Sequence, residues 1–357
     1  MKKGIIAILF LLIFLVLTVG CASPADGEQR VFGSGDLNIH FLELGNKYTG
    51  DSVYINYGDI DIIIDAGSKQ SSAATIRAYI DNHIQDGKIE YVIATHAHED
   101  HIAGFYTTTT TAGIFDSYEI DIIIDFPMTN STTATYNNYK RDRDRAVARG
   151  AAHYTALECY NNEGAAQRVW NLGGGVELEI LYNYYYENYT SIENNYSVAV
   201  RINQDGRQYL FTGDLERDGE ERLVDFYADN FGGLGRCTLY KGGHHGSRTS
   251  SNVKLMEAIR PEYVCVCSCT GSSEYNANPQ NVFPSQDFIN RVAPYTDRVY
   301  VTTLVTDYAG NQFEPLNGNI IFSVSQGNIS VAGSNNSLKL KDTPWFMENR
   351  NMPADWR

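Results

Sequence analysis

Within seven residues the chain carries three imidazoles and two carboxylates, Thr95-His96-Ala97-His98-Glu99-Asp100-His101. Imidazole nitrogen and carboxylate oxygen, without thiolate, form the ligand set of zinc, manganese or iron. His96 and His98, two apart, can converge on one ion if the turn is tight, while Asp100 and His101 face a second direction. Two later stretches have matching chemistry. Phe211-Thr212-Gly213-Asp214 sets a carboxylate after a glycine, and Lys241-Gly242-Gly243-His244-His245-Gly246-Ser247 sets paired imidazoles in a glycine-rich turn. Five of the eight histidines lie in the 96–101 and 244–245 clusters. His40, His83 and His153 stand singly and read as structural or surface residues. The plain alternative is an acidic, His-containing loop without metal, and the density of ligand-type side chains argues against it.

Each of these stretches closes an apolar, β-rich run: 89–95, 208–212 and 238–241. Strand ends are where a rigid scaffold meets solvent, so a site there is both positioned and accessible. Further strands are expected at 37–44, 52–57, 61–64, 120–124, 176–181, 197–202, 263–267, 299–303, 320–324 and 329–331. Helices are expected at 71–84, 138–152, 220–227, 252–259 and 288–292. Strands in runs, with helices between some of them, imply sheets packed together with helices outside rather than a strict parallel βαβ series.

The 357 residues are 43% hydrophobic, enough to bury a substantial core, and carry a net charge of −15. So acidic a chain is a poor generic polyanion binder, because phosphate backbones are repelled at long range. There is no G-x-S-x-G, P-loop or Rossmann glycine fingerprint, so serine-hydrolase and nucleotide-driven chemistry have no support. Lys2 and Lys3 precede an apolar run, 4–19, that ends in Leu17-Thr18-Val19-Gly20-Cys21. This reads as a secretory signal over 1–20. The Cys after Gly20 resembles the bacterial lipobox, which implies lipid on Cys21 and an extracytoplasmic protein anchored to the cell membrane. Residues 21–35 read as a tether, 36–332 as the folded domain and 333–357 as a polar tail packed on its surface. Cys265, Cys267 and Cys269 alternate on one strand face and read as small buried side chains, without the spacing of a structural zinc site.

The string His96-x-His98-x-Asp100-His101, with Asp65, Asp214 and a His at 244–245 in that order, resembles the metallo-β-lactamase fold hydrolases. Phe41-Leu42-Glu43-Leu44-Gly45, Ile64-Asp65-Ala66-Gly67, Asn194-Asn195-Tyr196-Ser197, Thr212-Gly213-Asp214 and Gly243-His244-His245-Gly246-Ser247-x-x-Ser250 are similar to the hydrolase domain of ComEC-type competence proteins. With Leu181-Tyr182-Asn183-Tyr184, the chain is also similar to the catalytic domain of the teichoic acid phosphorylcholine esterase. The resemblance implies an α+β fold, a four-layer αββα sandwich with two divalent ions (zinc, manganese or iron) at one edge. His96 and His98 would hold one ion. Asp100 and His101 would hold the other, joined by His244 or His245, with the motif order favouring His245. Asp214 would bridge both, and Asp100, Asp214 and His245 would form the catalytic set. Asp65 would fix a ligand loop by hydrogen bonds. Asn194, Ser197 and Ser247 would lie near substrate; the plain reading is turn capping, with Ser250 or Ser251 capping the next helix. Many family members supply a third His to the first ion. Only His153 lies between His101 and Asp214, without strand-end context, which implies a more open first site.

Two divalent ions can generate hydroxide and clamp an in-line displacement, which suits a phosphodiester or phosphoester. Tyr182, Tyr184, Tyr185, Tyr186 and Tyr189 could box a quaternary ammonium, as on cell-wall phosphocholine. Tyrosine is abundant, at 25 residues, so a merely sticky loop is the plainer reading. DNA is the rival substrate. Its one basic stretch, Lys140, Arg141, Arg143, Arg145 and Arg149, is interrupted by Asp142 and Asp144 and reads as a solvated helix with local ion pairs. A non-catalytic ligand-binding lipoprotein and a hydrolase of lactams or lactones are the competing functions.

Overall fold

The computed structural model of the chain describes residues 36–275 and 277–357. The expected signal segment, Cys21 and the tether lie outside the described residues. Strands β1 Leu37–Phe41, β2 Val53–Tyr57, β3 Ile60–Ile64, β4 Lys88–Ile93, β5 Glu119–Asp125 and β6 Ala152–Thr155 come first. They are followed by β7 Val169–Gly173, β8 Val176–Leu181, β9 Ala199–Gln204, β10 Arg207–Phe211, β11 Leu239–Lys241, β12 Tyr263–Thr270, β13 Val299–Asp307 and β14 Gln312–Pro315. β15 Ile320–Ser325 and β16 Asn328–Gly333 return to the first sheet. Two eight-stranded sheets result, ordered β16-β15-β1-β2-β3-β4-β5-β6 and β14-β13-β12-β11-β10-β9-β8-β7.

Each sheet is half parallel. β3 to β6 run parallel in one, β10 to β13 in the other, and the flanking strands pair antiparallel. The sequence explains the split. β3 (Ile-Asp-Ile-Ile-Ile) and β12 (Tyr-Val-Cys-Val-Cys-Ser-Cys-Thr) are near-continuous apolar runs, the pattern of strands covered on both faces. Within β12 the two faces separate: Cys265 and Cys267 join the core between the sheets, and Val264 and Val266 face the helices. Phe41 and Phe211 stack across the inter-sheet layer at 6.5 Å, and Tyr209 meets Phe322 at 5.8 Å.

Helices Arg217–Phe231, Val253–Ile259 and Gln286–Val292 cover the outer face of the second sheet with Leu223, Leu255 and Phe288. Helices Ser72–Ile80 and Ala134–Ala148 join the core that contains the first sheet's buried residues through Ile76, Ile80 and Tyr139. The architecture is therefore the four-layer αββα sandwich of the metallo-β-lactamase fold, as the motif order implied. β6, β7 and β14 have no counterpart among the expected strands. Phe346 and Trp356, in the segment expected as a surface tail, are buried in the second core. The cap of Val253–Ile259 is Asn252, which accepts from Lys254 N and Leu255 N, rather than Ser250 or Ser251. No helix among the described residues is long and apolar enough to cross a membrane.

Candidate metal centre

The carboxyl ends of parallel strands from both sheets meet at one edge of the sandwich. β3 delivers Asp65, β4 the 95–101 loop, β10 Asp214, and β11 the His pair. A single helical turn, Glu99–Ile102, turns Asp100 and His101 back over the loop. The backbone here is held in unusual conformations: Asp65, His244 and His245 have φ of 59°, 46° and 54°. Non-glycine residues in this region cost about 1–3 kcal/mol each and concentrate at functional sites. Gly67 is required by close approach, since a Cβ there would lie 1.5 Å from the Asp100 carbonyl oxygen.

His101 is held between two carboxylates. Its Nδ1 lies 2.7 Å from Asp65 Oδ2 and its Nε2 3.1 Å from Asp214 Oδ2. Asp65 also accepts from Thr95 N at 2.7 Å and Thr95 Oγ1 at 2.8 Å, so one buried carboxylate ties the 95–101 loop to the end of β3. His245 Nε2 lies 3.4 Å from both Asp100 Oδ2 and Asp214 Oδ2. His96 Nε2 and His98 Nδ1 approach to 3.0 Å, a separation at which two imidazole nitrogens must share a proton or a cation. His244 Nδ1 is taken by Thr249 Oγ1 at 3.0 Å, which leaves Nε2 3.7 Å from Asp214 Oδ2. Ser197 Oγ accepts from Asp214 N at 3.1 Å and lies 3.4 Å from His96 Nδ1, so it joins the first motif to the third.

The charge is unbalanced. Burial opposes ionisation at Asp214, yet the imidazoles of His101, His245 and His244 hold it well below the usual carboxylate range. Burial works against the cation at His101 too, but Asp214 and Asp65 raise it well above the ordinary imidazole value. His245 is pushed up to about 10 by Asp214 and Asp51 against its burial. His96, by contrast, is drawn well below 6.5 by burial and then by His101 and His98, and stays neutral. A pocket of carboxylates that drives imidazoles to protonate is equally a field for divalent cations. Two atoms carry that point. Asp214 Oδ1 and His245 Nε2 are buried with no hydrogen-bond partner among the described residues. The donor set therefore fits a divalent metal: neutral or deprotonatable nitrogen and oxygen, converging and unsatisfied.

The structure brings His96, His98, Asp100, His101, Asp214, His244 and His245 together around this edge. It places Asp65 and Ser197 directly behind them. Asn194 donates to Glu216 Oε1 at 3.1 Å, and Ser247 Oγ contacts Thr249 Oγ1 at 3.1 Å, so both buttress loops next to His244. His153 is held by Asp125 at 2.8 Å, in a cluster with Arg143. Of the tyrosines, Tyr185 and Tyr186 are buried and Tyr184 lies under Arg222 at 4.2 Å. The basic helix spends its guanidinium groups on Asp142, Asp125, Asp144 and Asp116.

Three residues escaped sequence reasoning. Tyr275 donates to Asp100 Oδ2 at 2.9 Å, and its ring packs on Phe283, which lies against His245. Asp51 and Lys241 form a buried ion pair behind His245. Asp51 offers an oxygen within 4.8 Å of ligand atoms from His101, Asp214 and His245. It nonetheless meets His245 at Nδ1, at 3.0 Å, on the side away from Asp100 and Asp214. The Gly50-Asp51-Ser52 stretch bears no spacing relation to the His motif that could have marked it.

Residues 45–111, which contain Asp51, Asp65 and the 95–101 loop, match the family model described as Metallo-beta-lactamase superfamily. That segment is thus similar to the metallo-β-lactamase superfamily, and the two helix-covered sheets are consistent with its fold. It is similar to competence protein ComA of Neisseria gonorrhoeae, 38% identical over 76 residues, covering 21% of this chain and 10% of that protein. ComE operon protein 3 of Bacillus subtilis is 26% identical over 90 residues, covering 25% and 11%. The matches thus span about a tenth of these relatives' own length. Among solved structures, the metallo-beta-lactamase fold protein YhfI from Bacillus subtilis is similar at 9% identity and a TM-score of 0.43, over 75% of this chain and 96% of that one.

Proposed function

We propose that the protein is a dinuclear metal-dependent hydrolase of phosphodiester or phosphoester bonds, working outside the cytoplasm. The observation that carries this reading is the pair of buried, unpartnered atoms, Asp214 Oδ1 and His245 Nε2, in an all-imidazole and carboxylate cluster. His96 and His98 with Asp214 would hold one ion, and Asp100, His101 and His245 with Asp214 the other. When bound, two divalent ions supply the Lewis acidity that ionises water near neutral pH and neutralises charge on a phosphoryl oxygen. The chain's own residues do the rest. Asp65 keeps the His101 proton on Nδ1, Ser197 steadies His96 and the Asp214 backbone, and Tyr275 presents a hydroxyl at the open face. A cleft lined by Ile192, Asn195, Glu216, Arg217, Arg248 and Thr249 adjoins His244 through Glu216 and Thr249. Arg217 and Arg248 are exposed in this cleft beside Glu216, Asp218 and Glu221, and form no ion pair among the described residues, so they are the groups there that could meet a phosphoryl oxygen.

The test compares a chromogenic phosphodiester, a phosphocholine ester, single-stranded DNA and a β-lactam with zinc or manganese present, against Asp214→Ala. Phosphoester turnover that is lost in the variant is expected. Turnover of the β-lactam alone, or equal rates in the variant, would overturn the reading. Metal binding without any turnover would make the protein a binding module. The membrane address rests on Cys21; Cys21→Ser is expected to release the protein from the membrane fraction.

A further inference from the structure

We propose that Asp51 and Lys241 are the positioning pair that makes His245 a metal ligand, so that the affinity of one of the two ion sites depends on them and that of the other does not. This rests on the dinuclear reading above. Asp51 and Lys241 are each almost fully buried, and the Lys241 ammonium lies against Asp51 Oδ2. The other oxygen, Oδ1, lies 3.0 Å from His245 Nδ1, and the Cys267 carbonyl accepts at the same nitrogen at 3.0 Å. The carbonyl's hydrogen bond gives that nitrogen one role, to carry the proton and donate, and the Asp51 carboxylate, at ion-pair distance without a hydrogen bond of its own, favours the same proton by its charge. The lone pair is thereby left on Nε2, the atom aimed at Asp100 and Asp214.

A buried carboxylate left on its own would protonate or pull the imidazole proton onto itself. Lys241 prevents both, because its charge compensates Asp51 within the dry interior. Asp51 is also tied into the backbone of the site: its N–H donates to the Asp100 carbonyl at 3.0 Å, and its carbonyl accepts from Gly67 N at 2.9 Å. The residue thus links the loop that carries Asp100 and His101 to the turn that carries His245. Among the described residues, His245 and His101 are the imidazoles that act on Asp51, whereas His96 and His98 lie outside the pair's contacts, which is why the effect is confined to one site. Carboxylates that orient a ligating imidazole typically account for 10–100-fold in metal affinity.

The experiment is a metal titration of the whole protein by competition with a chromophoric chelator, for the unmodified chain, Asp51→Asn, Lys241→Met and the double variant. Two zinc equivalents are expected for the unmodified chain. In Asp51→Asn, one site should weaken 10–100-fold while the other stays within about twofold. The double variant removes both charges together, so it stays folded by circular dichroism where Lys241→Met alone does not, and it shows the same selective loss. Equal affinities in all four proteins would overturn the proposal, as would equal weakening of both sites. Saturation of Asp51→Asn at one equivalent under excess zinc would make Asp51 a direct ligand and also overturn it. An unmodified chain that takes up no metal would instead remove the dinuclear reading on which the proposal stands.

Discussion

Asp65→Asn is the substitution that most sharply separates an oriented ligand loop from a merely acidic one. Asp65 accepts from Thr95 N, Thr95 Oγ1 and His101 Nδ1, all at 2.7–2.8 Å, with the carboxylate buried. Asparagine retains one oxygen for Thr95 N. Its amide then faces the Thr95 hydroxyl, which can reverse its donor role, and the His101 N–H, which cannot without moving its proton. One charge-assisted hydrogen bond is lost, about 1.5–3 kcal/mol, and the remaining two become neutral. The metal-free protein should therefore lose about 2–3 kcal/mol in urea unfolding with chelator present. If His101 relieves the conflict by shifting its proton to Nε2, that nitrogen donates to Asp214 and is no longer free to bind an ion. Metal affinity should then fall about 10–100-fold in the same variant. A change below about 0.5 kcal/mol together with unaltered metal affinity would refute the orienting role, because that is the scatter of an ordinary surface substitution.

Two further expectations follow from the packing. Gly67→Ala would drive a methyl into the Asp100 carbonyl, a backbone atom that has no rotamer to yield; a loss of about 1–3 kcal/mol in thermal or urea unfolding, with impaired metal uptake, is expected, and unchanged behaviour would mean that the turn does not pass beneath the ligand loop as described. Glu220 is buried and accepts from Ser251 N, Asn252 N and Asn252 Nδ2, yet burial outweighs these bonds and raises its pKa from 4.5 to about 7. A raised value gives stability that is complete below pH 4.5 and lost as pH climbs through 7, amounting to about 3 kcal/mol. The stability of the unmodified chain relative to Glu220→Gln should thus fall between pH 5 and 8; a difference that grows with pH would show that the three donors prevail over burial.

The fold was legible where the pattern was strong. The runs that became β2, β3, β8 and β12 are apolar, β-branched or aromatic, and bounded by turn residues. β6 was not, because Ala-His-Tyr-Thr is half-buried and carries no alternation. β14, Gln-Phe-Glu-Pro, is an exposed edge strand that exists only because β13 offers it a partner. Trp170 and Leu172 of β7 do alternate inward, but the run is short and breaks into three glycines. The tail looked polar because its two buried aromatics, Phe346 and Trp356, are ten residues apart and share a core only through the folded chain.

The candidate site divides along the same line. Ligand-type residues clustered in sequence, such as His96 to His101, could be read directly. So could Asp214 and the His pair, through their strand-end glycine context. The choice between His244 and His245 was a matter of geometry: His245 is buried with Nε2 aimed at two carboxylates, while His244 is turned outward by Thr249. Asp51, Lys241 and Tyr275 meet their partners across spans of 175 to 194 residues, and no local pattern announces such partners.

The central claim is that this edge of the sandwich grips two cations. Anomalous diffraction from crystals grown with zinc or manganese, collected on both sides of the metal's absorption edge, tests it directly. Two peaks about 3.5–4 Å apart, one against His96 and His98 and the other against His101 and His245, with Asp214 between them, are expected. A difference map without a peak at Asp214, from protein saturated with metal, would contradict the claim.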